Sequence, residues 1–185
     1  MEGGIQAWQG LTAEGPPEGG IAYFAPGTGA ADMAALAWAL EENTRLFYSS
    51  LAGMMPGTDE AELFTKLADA EEHHKGTLLS IHRNLSSEPV DRFYRSQDSP
   101  VLEGGVNREE ALSWTRDKPA RKILAISMGL EANAYDRYLK MVDVSNSEDA
   151  REVFRTIAKE EKKHLERLSK LLDDAVKQDV TASRS

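Results

Sequence analysis

The feature that most constrains this chain is an internal repeat that places carboxylates on the apolar faces of helices. The two halves align at an offset of 90 residues. The repeated pairs are Glu41 and Glu131, Tyr48 and Tyr138, Glu71 and Glu161, and His74 and His164. In each half the second Glu follows the first by 30 residues and begins a Glu-x-x-His unit. A fixed offset shared by four chemically demanding positions indicates two copies of one structural unit.

Long segments with few helix breakers predict four helices, at roughly 30–55, 59–85, 119–143 and 148–178. Along the second, third and fourth, core-type residues recur at alternating steps of three and four, which is typical of amphipathic helices. Thr58 or Asp59 is expected to cap the second helix, Pro119 suits the first turn of the third, and Ser147 can begin the fourth. Each core-facing stripe is interrupted in mid-helix by a carboxylate.

The connections between these helices are short, long and short. Two short connections predict two antiparallel helix hairpins, and the long one, 86–118, can run the length of a bundle. A short helix is expected within it at 107–115, capped by Asn107. The predicted fold class is therefore an all-α, ferritin-like antiparallel four-helix bundle with one long crossover between helices two and three. Residues 1–29, rich in Gly and Pro, predict an irregular arm, and 179–185 a disordered tail.

Four carboxylates inside one bundle need a counter-charge, because burying an ionised carboxylate costs several kcal/mol and like charges repel. Two divalent cations would balance four Glu side chains, and a Glu and a His at positions i and i+3 point the same way from a helix. One Glu from each of two helices and a Glu-x-x-His from each of the others is a known two-metal ligand set. The predicted metal ligands are Glu41, Glu71, His74, Glu131, Glu161 and His164.

The repeat also decides between neighbouring residues. A single Glu or a single Glu-x-x-His on an acidic helical protein usually lies on a solvated face. The offset of 90 residues selects Glu41 rather than Glu42, and Glu161 rather than Glu160. His73 and His82 do not belong to the repeat and are expected at the surface.

Composition excludes several classes of function. A net charge of −9 disfavours a nucleic acid or an anionic membrane as partner, because phosphate binding needs a basic surface. The chain has no Cys, which excludes disulfides, thiolate catalysis and iron–sulfur centres within it. No signal peptide is recognised at the start, and the longest nearly apolar run, Met33 to Leu40, is too short to span a bilayer. A soluble, cytoplasmic protein is expected.

The segments LEENTRLFY, AEEHHK, LEANAYDRY and KEEKKH resemble the rubrerythrin branch of the ferritin-like superfamily, over roughly 30–178. The resemblance implies two iron ions, for which zinc or manganese can substitute. It assigns terminal ligands Glu41 and His74 to one ion and Glu131 and His164 to the other, with Glu71 and Glu161 bridging. It also implies that Tyr48 and Tyr138 hydrogen-bond to ligands, which makes them candidate catalytic residues.

The resemblance further implies an oxidoreductase, in which Fe(II) reduces hydrogen peroxide or dioxygen, or a ferroxidase-like activity. An external electron donor, as yet unknown, and a homodimer are expected. Two departures bear on this activity. Rubrerythrins proper carry a Cys-rich electron-transfer domain, whereas this chain has no Cys. They also carry a further carboxylate three residues after the third-helix Glu, where this chain has Ala134.

At the N-terminus, residues 3–11 (GGIQAWQGL) are similar to the closing segment of rhodanese-like domains. The similarity would make this arm the remnant of a fused sulfurtransferase domain. The alternative, slightly favoured, is a flexible Gly-rich arm. Without Cys the chain could not itself carry persulfide chemistry.

Two other functional interpretations remain open. The chain could be a non-catalytic module that binds iron, manganese or zinc for a partner protein, which the absence of Cys and the Ala at position 134 favour. It could also be a structural helical protein without metal, in which case removing the buried carboxylates would be neutral or stabilising.

Overall fold

A computed structural model describes residues 29–96, 100–145 and 147–182. Six helices form this part of the chain: α1 (Ala30–Met54), α2 (Asp59–Leu85), α3 (Arg92–Arg95), α4 (Arg108–Thr115), α5 (Ala120–Val144) and α6 (Glu148–Ala182). The only extended pairing among the described residues is an isolated bridge between Val101 and Asn107. The predicted all-α class is therefore confirmed.

The four long helices form two hairpins, with α1 packed along α2 and α5 packed along α6. The hairpins meet where α2 contacts α6, and the crossover between α2 and α5 carries the two short helices. This is the ferritin-like bundle with a single long crossover that the connection lengths predict.

Local side-chain chemistry explains where two of the helices begin. The Thr58 hydroxyl accepts a hydrogen bond from the backbone N–H of Ala61 at 3.1 Å, so Thr58 caps α2 and Asp59 is its first helical residue. The Asn107 side chain caps α4 by accepting from the N–H groups of Glu109 (2.8 Å) and Glu110 (3.0 Å). Each cap satisfies backbone donors that have no partner within the first turn of a helix.

Two hydrophobic clusters fill the bundle and leave a polar layer between them. On each long helix one cluster lies before and the other after the carboxylates of the repeat. One cluster includes Phe47, Leu51, Phe64, Leu67, Leu124 and Leu168. The other includes Met33, Leu78, Met141, Phe154 and Ile157. The predicted metal ligands therefore occupy the middle of the bundle, shielded by apolar side chains on both sides.

Some expectations differ from the structure. Helix α6 continues to Ala182, four residues past its predicted end, because 179–182 contain no Gly or Pro that would stop it. The four-residue α3 was not predicted, since so short a helix has no periodic pattern. The Gly/Pro-rich arm, with the rhodanese-like segment 3–11, lies outside the described residues apart from Gly29. None of the described helices is long and apolar enough to cross a membrane.

Residues 101–107 form a tight turn that closes on the bundle. The backbone N–H of Leu102 donates to the carbonyl of Val106 at 2.8 Å, and that of Gly105 donates to Leu102 at 2.8 Å. Gly105 has a φ of +87°, a conformation that side-chain-bearing residues rarely adopt. At Gly104 an added Cβ would lie 2.9 Å from the carbonyl oxygen and 3.0 Å from the Cα of Leu130 on α5. Glycine is therefore needed at both positions, for different reasons.

The close approach at Gly104 gives a testable prediction. Gly104→Ala is expected to lower the free energy of unfolding by about 1–3 kcal/mol, because the helix backbone cannot move aside as a flexible side chain would. The matched control is Gly76→Ala on α2, where nothing lies within 4 Å of the added methyl. The control should be neutral or stabilising by up to about 1 kcal/mol. Urea unfolding of both variants measures the difference, and equal stabilities would contradict the proposed packing.

Candidate metal centre

The structure brings all six predicted ligands together in the polar layer of the bundle. The layer is formed by Glu41 from α1, Glu71 and His74 from α2, Glu131 from α5, and Glu161 and His164 from α6. The most exposed of the six, His74, has only 6% of its surface accessible. Each side chain occupies a core position of its helix, which is why the apolar stripes predicted their direction.

His74 faces three carboxylates from three helices. Its Nδ1 lies 3.0 Å from Glu71 Oε2, 3.2 Å from Glu161 Oε1 and 3.3 Å from Glu41 Oε2. Four potential ligand atoms thus converge on one position.

His164 faces the equivalent set in the second half. Its Nδ1 lies 3.3 Å from Glu161 Oε2, 3.4 Å from Glu131 Oε2 and 3.7 Å from Glu71 Oε1. The two imidazole rings lie nearly parallel, with centroids 5.6 Å apart. The site therefore has approximate two-fold symmetry, as the sequence repeat implies.

Glu71 and Glu161 belong to both groups of potential ligands. Glu71 presents Oε2 to His74 and Oε1 to His164. Glu161 presents Oε1 to His74 and Oε2 to His164. Glu41 and Glu131 each belong to a single group. The family resemblance implies that Glu71 and Glu161 bridge two ions and that Glu41 and Glu131 each bind one, and these roles stay a prediction.

The two tyrosines cross from one half of the repeat to the other. Tyr138 on α5 donates a hydrogen bond to Glu41 Oε1 at 2.6 Å, and Tyr48 on α1 donates one to Glu131 Oε1. Each ring is stacked on a phenylalanine, Tyr48 on Phe64 and Tyr138 on Phe154. The tyrosines therefore fix one oxygen of each terminal Glu, and their own positions are fixed by packing.

Without a metal, the buried carboxyls resist ionisation. Burial raises the pKa of Glu71 well above its usual range, and the charges of Glu41 and Glu131 add to the shift. Burial likewise raises the pKa of Glu161, with charges from Glu103 and Glu131 adding to it. As carboxylates, neither Glu71 nor Glu161 has a hydrogen-bond partner for either oxygen within the described structure. A metal ion would satisfy the oxygens that protein donors leave unpaired.

The terminal carboxyls behave in the opposite way. Burial opposes the ionisation of Glu41, but the charge of His74 and hydrogen bonds outweigh it and lower the pKa of Glu41 to about 2. Burial also opposes the charging of His74, yet the Glu41 charge raises the pKa of His74 to about 9. Hydrogen bonds and charge from His164 lower the pKa of Glu131 in spite of its burial. Burial thus dominates at Glu71 and Glu161 and raises their pKa values, whereas the two histidines lower the pKa values of Glu41 and Glu131.

Comparison with known proteins gives one match. The family model described as rubrerythrin matches residues 32–172, which is most of the chain and includes every residue of the site. The chain belongs to the rubrerythrin family. Rubrerythrins bind iron, and this member has buried carboxylate and histidine groups that could hold a metal. Searches of curated proteins and of solved structures found no significant match.

One residue of this rubrerythrin site was missed by sequence reasoning. Glu103, in the crossover turn, is 1% exposed, and its carboxylate lies 3.4 Å from the hydroxyl of Tyr138. Burial raises the pKa of Glu103 well above its usual range, and the charges of Glu41, Glu71 and Glu131 raise it further. The residue lies outside the repeat and outside any helix, so no periodicity marks it. Its only sequence signal is a lone Glu between apolar residues and two glycines.

Of the two remaining histidines, one prediction is wrong. His73 is exposed, as expected, whereas His82 is buried, with 1% of its surface accessible. Towards its end, α2 buries His82 and leaves Ile81 only half-buried and Leu85 47% exposed. The buried stripe has drifted around the helix by one residue, because a straight helix has 3.6 residues per turn, whereas alternating steps of three and four average 3.5.

Proposed function

We propose that the protein holds two iron ions at this centre and is an oxidoreductase in which Fe(II) reduces hydrogen peroxide or dioxygen. The observation that carries the proposal is the division of oxygens by Glu71 and Glu161, each of which offers one to each His. Glu71 and Glu161 would bind both ions, and each ion would also have one Glu and one His of its own. The iron would supply the electrons for the reduction.

The donor set fits iron. Carboxylate and imidazole ligands suit redox-active iron or manganese, whereas structural zinc sites are usually rich in Cys, and this chain has none. Eight oxygens from four ligand Glu side chains and two imidazoles exceed what two tetrahedral ions need. The ions would bind the oxygens of Glu71 and Glu161 for which the described structure has no hydrogen-bond donor.

The chain's own groups would orient the ligands and hold protons near the reacting oxygens. The pKa values of Tyr48 and Tyr138 are raised well above 10, first by burial and then by the neighbouring carboxylates, so both hydroxyls stay protonated and keep donating. Each hydroxyl donates to a carboxylate of the site, Tyr48 to Glu131 and Tyr138 to Glu41. The hydrophobic clusters above and below keep bulk water from the ions.

Electrons for repeated turnover must come from outside these 185 residues, because no Cys is present to hold an iron–sulfur centre. The resemblance to the family also favours a homodimer, which the molecular mass in solution would test. Neither the donor nor a second subunit is needed for a single oxidation event. A single-turnover experiment on the isolated protein can therefore test whether the bound Fe(II) is oxidised.

Stopped-flow absorbance tests the proposal. Protein loaded anaerobically with two equivalents of Fe(II) is mixed with either hydrogen peroxide or dissolved dioxygen. Rapid growth of the near-ultraviolet absorbance of ferric iron is expected with at least one oxidant, much faster than for free Fe(II) in the same buffer. The oxidant that reacts faster identifies the preferred substrate. Loaded protein that oxidises no faster than free Fe(II) would refute the proposed activity.

A non-catalytic metal-binding module is the second candidate. It is favoured by the fully buried Ala134, a methyl group where rubrerythrins proper carry another carboxylate. This function predicts two firmly held ions and no sustained turnover with any reductant supplied. Metal analysis of protein purified from iron- or manganese-supplemented cells, followed by the same oxidant mixing, separates the two candidates.

A further inference from the structure

The crossover inserts a fifth carboxylate into the bundle that the six-ligand set does not use. Glu103 lies in the turn between α3 and α4, not on a helix, yet only 1% of it is exposed. Its Oε2 lies 3.4 Å from the hydroxyl of Tyr138, which donates to Glu41 at 2.6 Å. Glu103 therefore faces the half of the centre that contains Glu41 and His74.

The bundle holds this turn at four points, all close in sequence to predicted ligands. On α1, the hydroxyl of Thr44 accepts from the backbone N–H of Glu103 at 3.1 Å, and the Asn43 side chain donates to the carbonyl of Val101 at 3.0 Å. On α5, Leu130 packs against the Cβ-free face of Gly104, and the Asn133 side chain donates to the Gly104 carbonyl at 3.3 Å. Such clamping fixes the backbone from which the Glu103 side chain extends.

The carboxylate itself is poorly satisfied. Oε1 of Glu103 is buried and has no hydrogen-bond partner among the described residues, and the contact of Oε2 with Tyr138 is long. A buried carboxylate without donors is costly. A cation beside Glu41 would remove that cost.

Glu103 also breaks the symmetry of the centre. Ninety residues before it the sequence has Ala13 rather than a carboxylate, so the repeat supplies no equivalent of Glu103 to Glu131 and His164. Along α5, the buried Ala134 follows Asn133, which contacts the turn, and precedes Tyr138, which Glu103 approaches. A side chain from the crossover can thus supply a carboxylate that α5 does not.

We propose that Glu103 is a seventh protein ligand of the metal centre and binds the ion held by Glu41 and His74. This inference rests on the proposed two-metal site. Four carboxylates balance two divalent ions in formal charge, so a fifth gives the centre surplus negative charge that suits the more highly charged oxidised ions. The two metal positions are consequently unequal, and the one beside His74 has the larger ligand set.

Metal titration tests the proposal without reference to activity. Stripped wild-type protein and Glu103→Gln are titrated anaerobically with Co(II), and the visible absorption and binding isotherm are recorded. Glu103→Gln keeps the shape but removes the charge. We expect it to bind two ions, one of them at least about tenfold more weakly than in the wild type and with a changed Co(II) spectrum. Glu109→Gln, which removes an exposed charge on α4, should match the wild type.

Two further variants distinguish direct binding from an indirect effect. Tyr138→Phe removes the hydroxyl between Glu103 and Glu41 but keeps both carboxylates, so it should leave the Co(II) spectrum closer to wild type than Glu103→Gln does. Glu103→Asp, with a shorter side chain, should weaken the same single ion. Wild-type protein that binds no Co(II) would refute the metal site itself. Wild-type protein that binds two ions, with Glu103→Gln unchanged or weakened equally at both positions, would refute only the role of Glu103.

Discussion

Replacing Glu71 with alanine is expected to leave the protein unable to hold two metal ions. Glu71 is the residue that offers Oε2 to the position beside His74 and Oε1 to the position beside His164. Its loss therefore removes a ligand from both positions at once. Two bound cations would also repel each other more strongly, because the negative charge of Glu71 would no longer lie between them. Loss of a residue that only hydrogen-bonds to a ligand typically lowers metal affinity by about 10–100-fold, so we expect loss of Glu71 to lower it by at least about 100-fold.

Equilibrium binding of Mn(II) to stripped protein measures this effect. Glu41→Ala removes a ligand from one position only, so it should weaken one ion while Glu71→Ala weakens both. Glu160→Ala is the matched control, because Glu160 directly precedes Glu161 in the sequence but pairs with Lys163 at the surface. Two ions bound to Glu71→Ala with wild-type affinity would show that the six residues are not the metal ligands.

Metal is expected to reverse the dependence of stability on pH. Between pH 5 and 9 the metal-free protein should become less stable as pH rises, whereas the metal-loaded protein should become more stable. The stabilisation from two ions, each at about 100 times its dissociation constant, is about 5 kcal/mol. For a chain of this size that corresponds to an increase in melting temperature of about 10–20 °C.

The direction for the metal-free protein follows from the pKa shifts. The pKa values of Glu71, Glu103 and Glu161 are raised by burial above the 4.5 of an unfolded chain, so folding favours their protonated forms and stability is lost as pH rises beyond 4.5. The pKa of His74 is raised to about 9, so its contribution is complete below 6.5 and is lost as pH rises through 9. The lowered pKa of Glu41, about 2, gives stability that stays constant across this window.

Metal acts in the opposite direction, because ligands bind only when deprotonated, and the affinity therefore grows with pH. Melting temperatures at pH 5, 7 and 9, with a chelator or with Mn(II), test both trends. The Glu71→Ala variant should gain little from Mn(II) at any pH. A metal-free protein whose stability rises from pH 5 to 9 would contradict the burial of protonated carboxyls.

Sequence reasoning predicted most of the fold and of the site, because both depend on helical periodicity. A side chain's direction on a straight helix is fixed by its number, and the repeat supplied a second copy against which to check the register. This was sufficient to select Glu41 over Glu42 and to place the four helices within a few residues. That Glu71 and Glu161 are shared by both groups of potential ligands was implied by the family resemblance rather than by the register.

What periodicity could not predict lies where the chain is not periodic. Glu103 reaches the core because Gly104 allows its turn to approach the backbone of α5, and such a contact depends on tertiary structure that no local pattern encodes. His82 was misplaced for a related reason, since the buried face of α2 drifts towards its end. Neither the burial of Glu103 nor that of His82 could be predicted without the folded structure.

The crossed tyrosines have a consequence for how the two hairpins depend on each other. Tyr48 supports a glutamate of the second hairpin, and Tyr138 supports one of the first. Neither hairpin carries a complete group of potential ligands, since each group includes a carboxylate from the other hairpin. A hairpin on its own would have to pair with a second hairpin to build this centre. The long crossover keeps both hairpins in one chain, so the complete group of side chains can assemble without an encounter between two molecules.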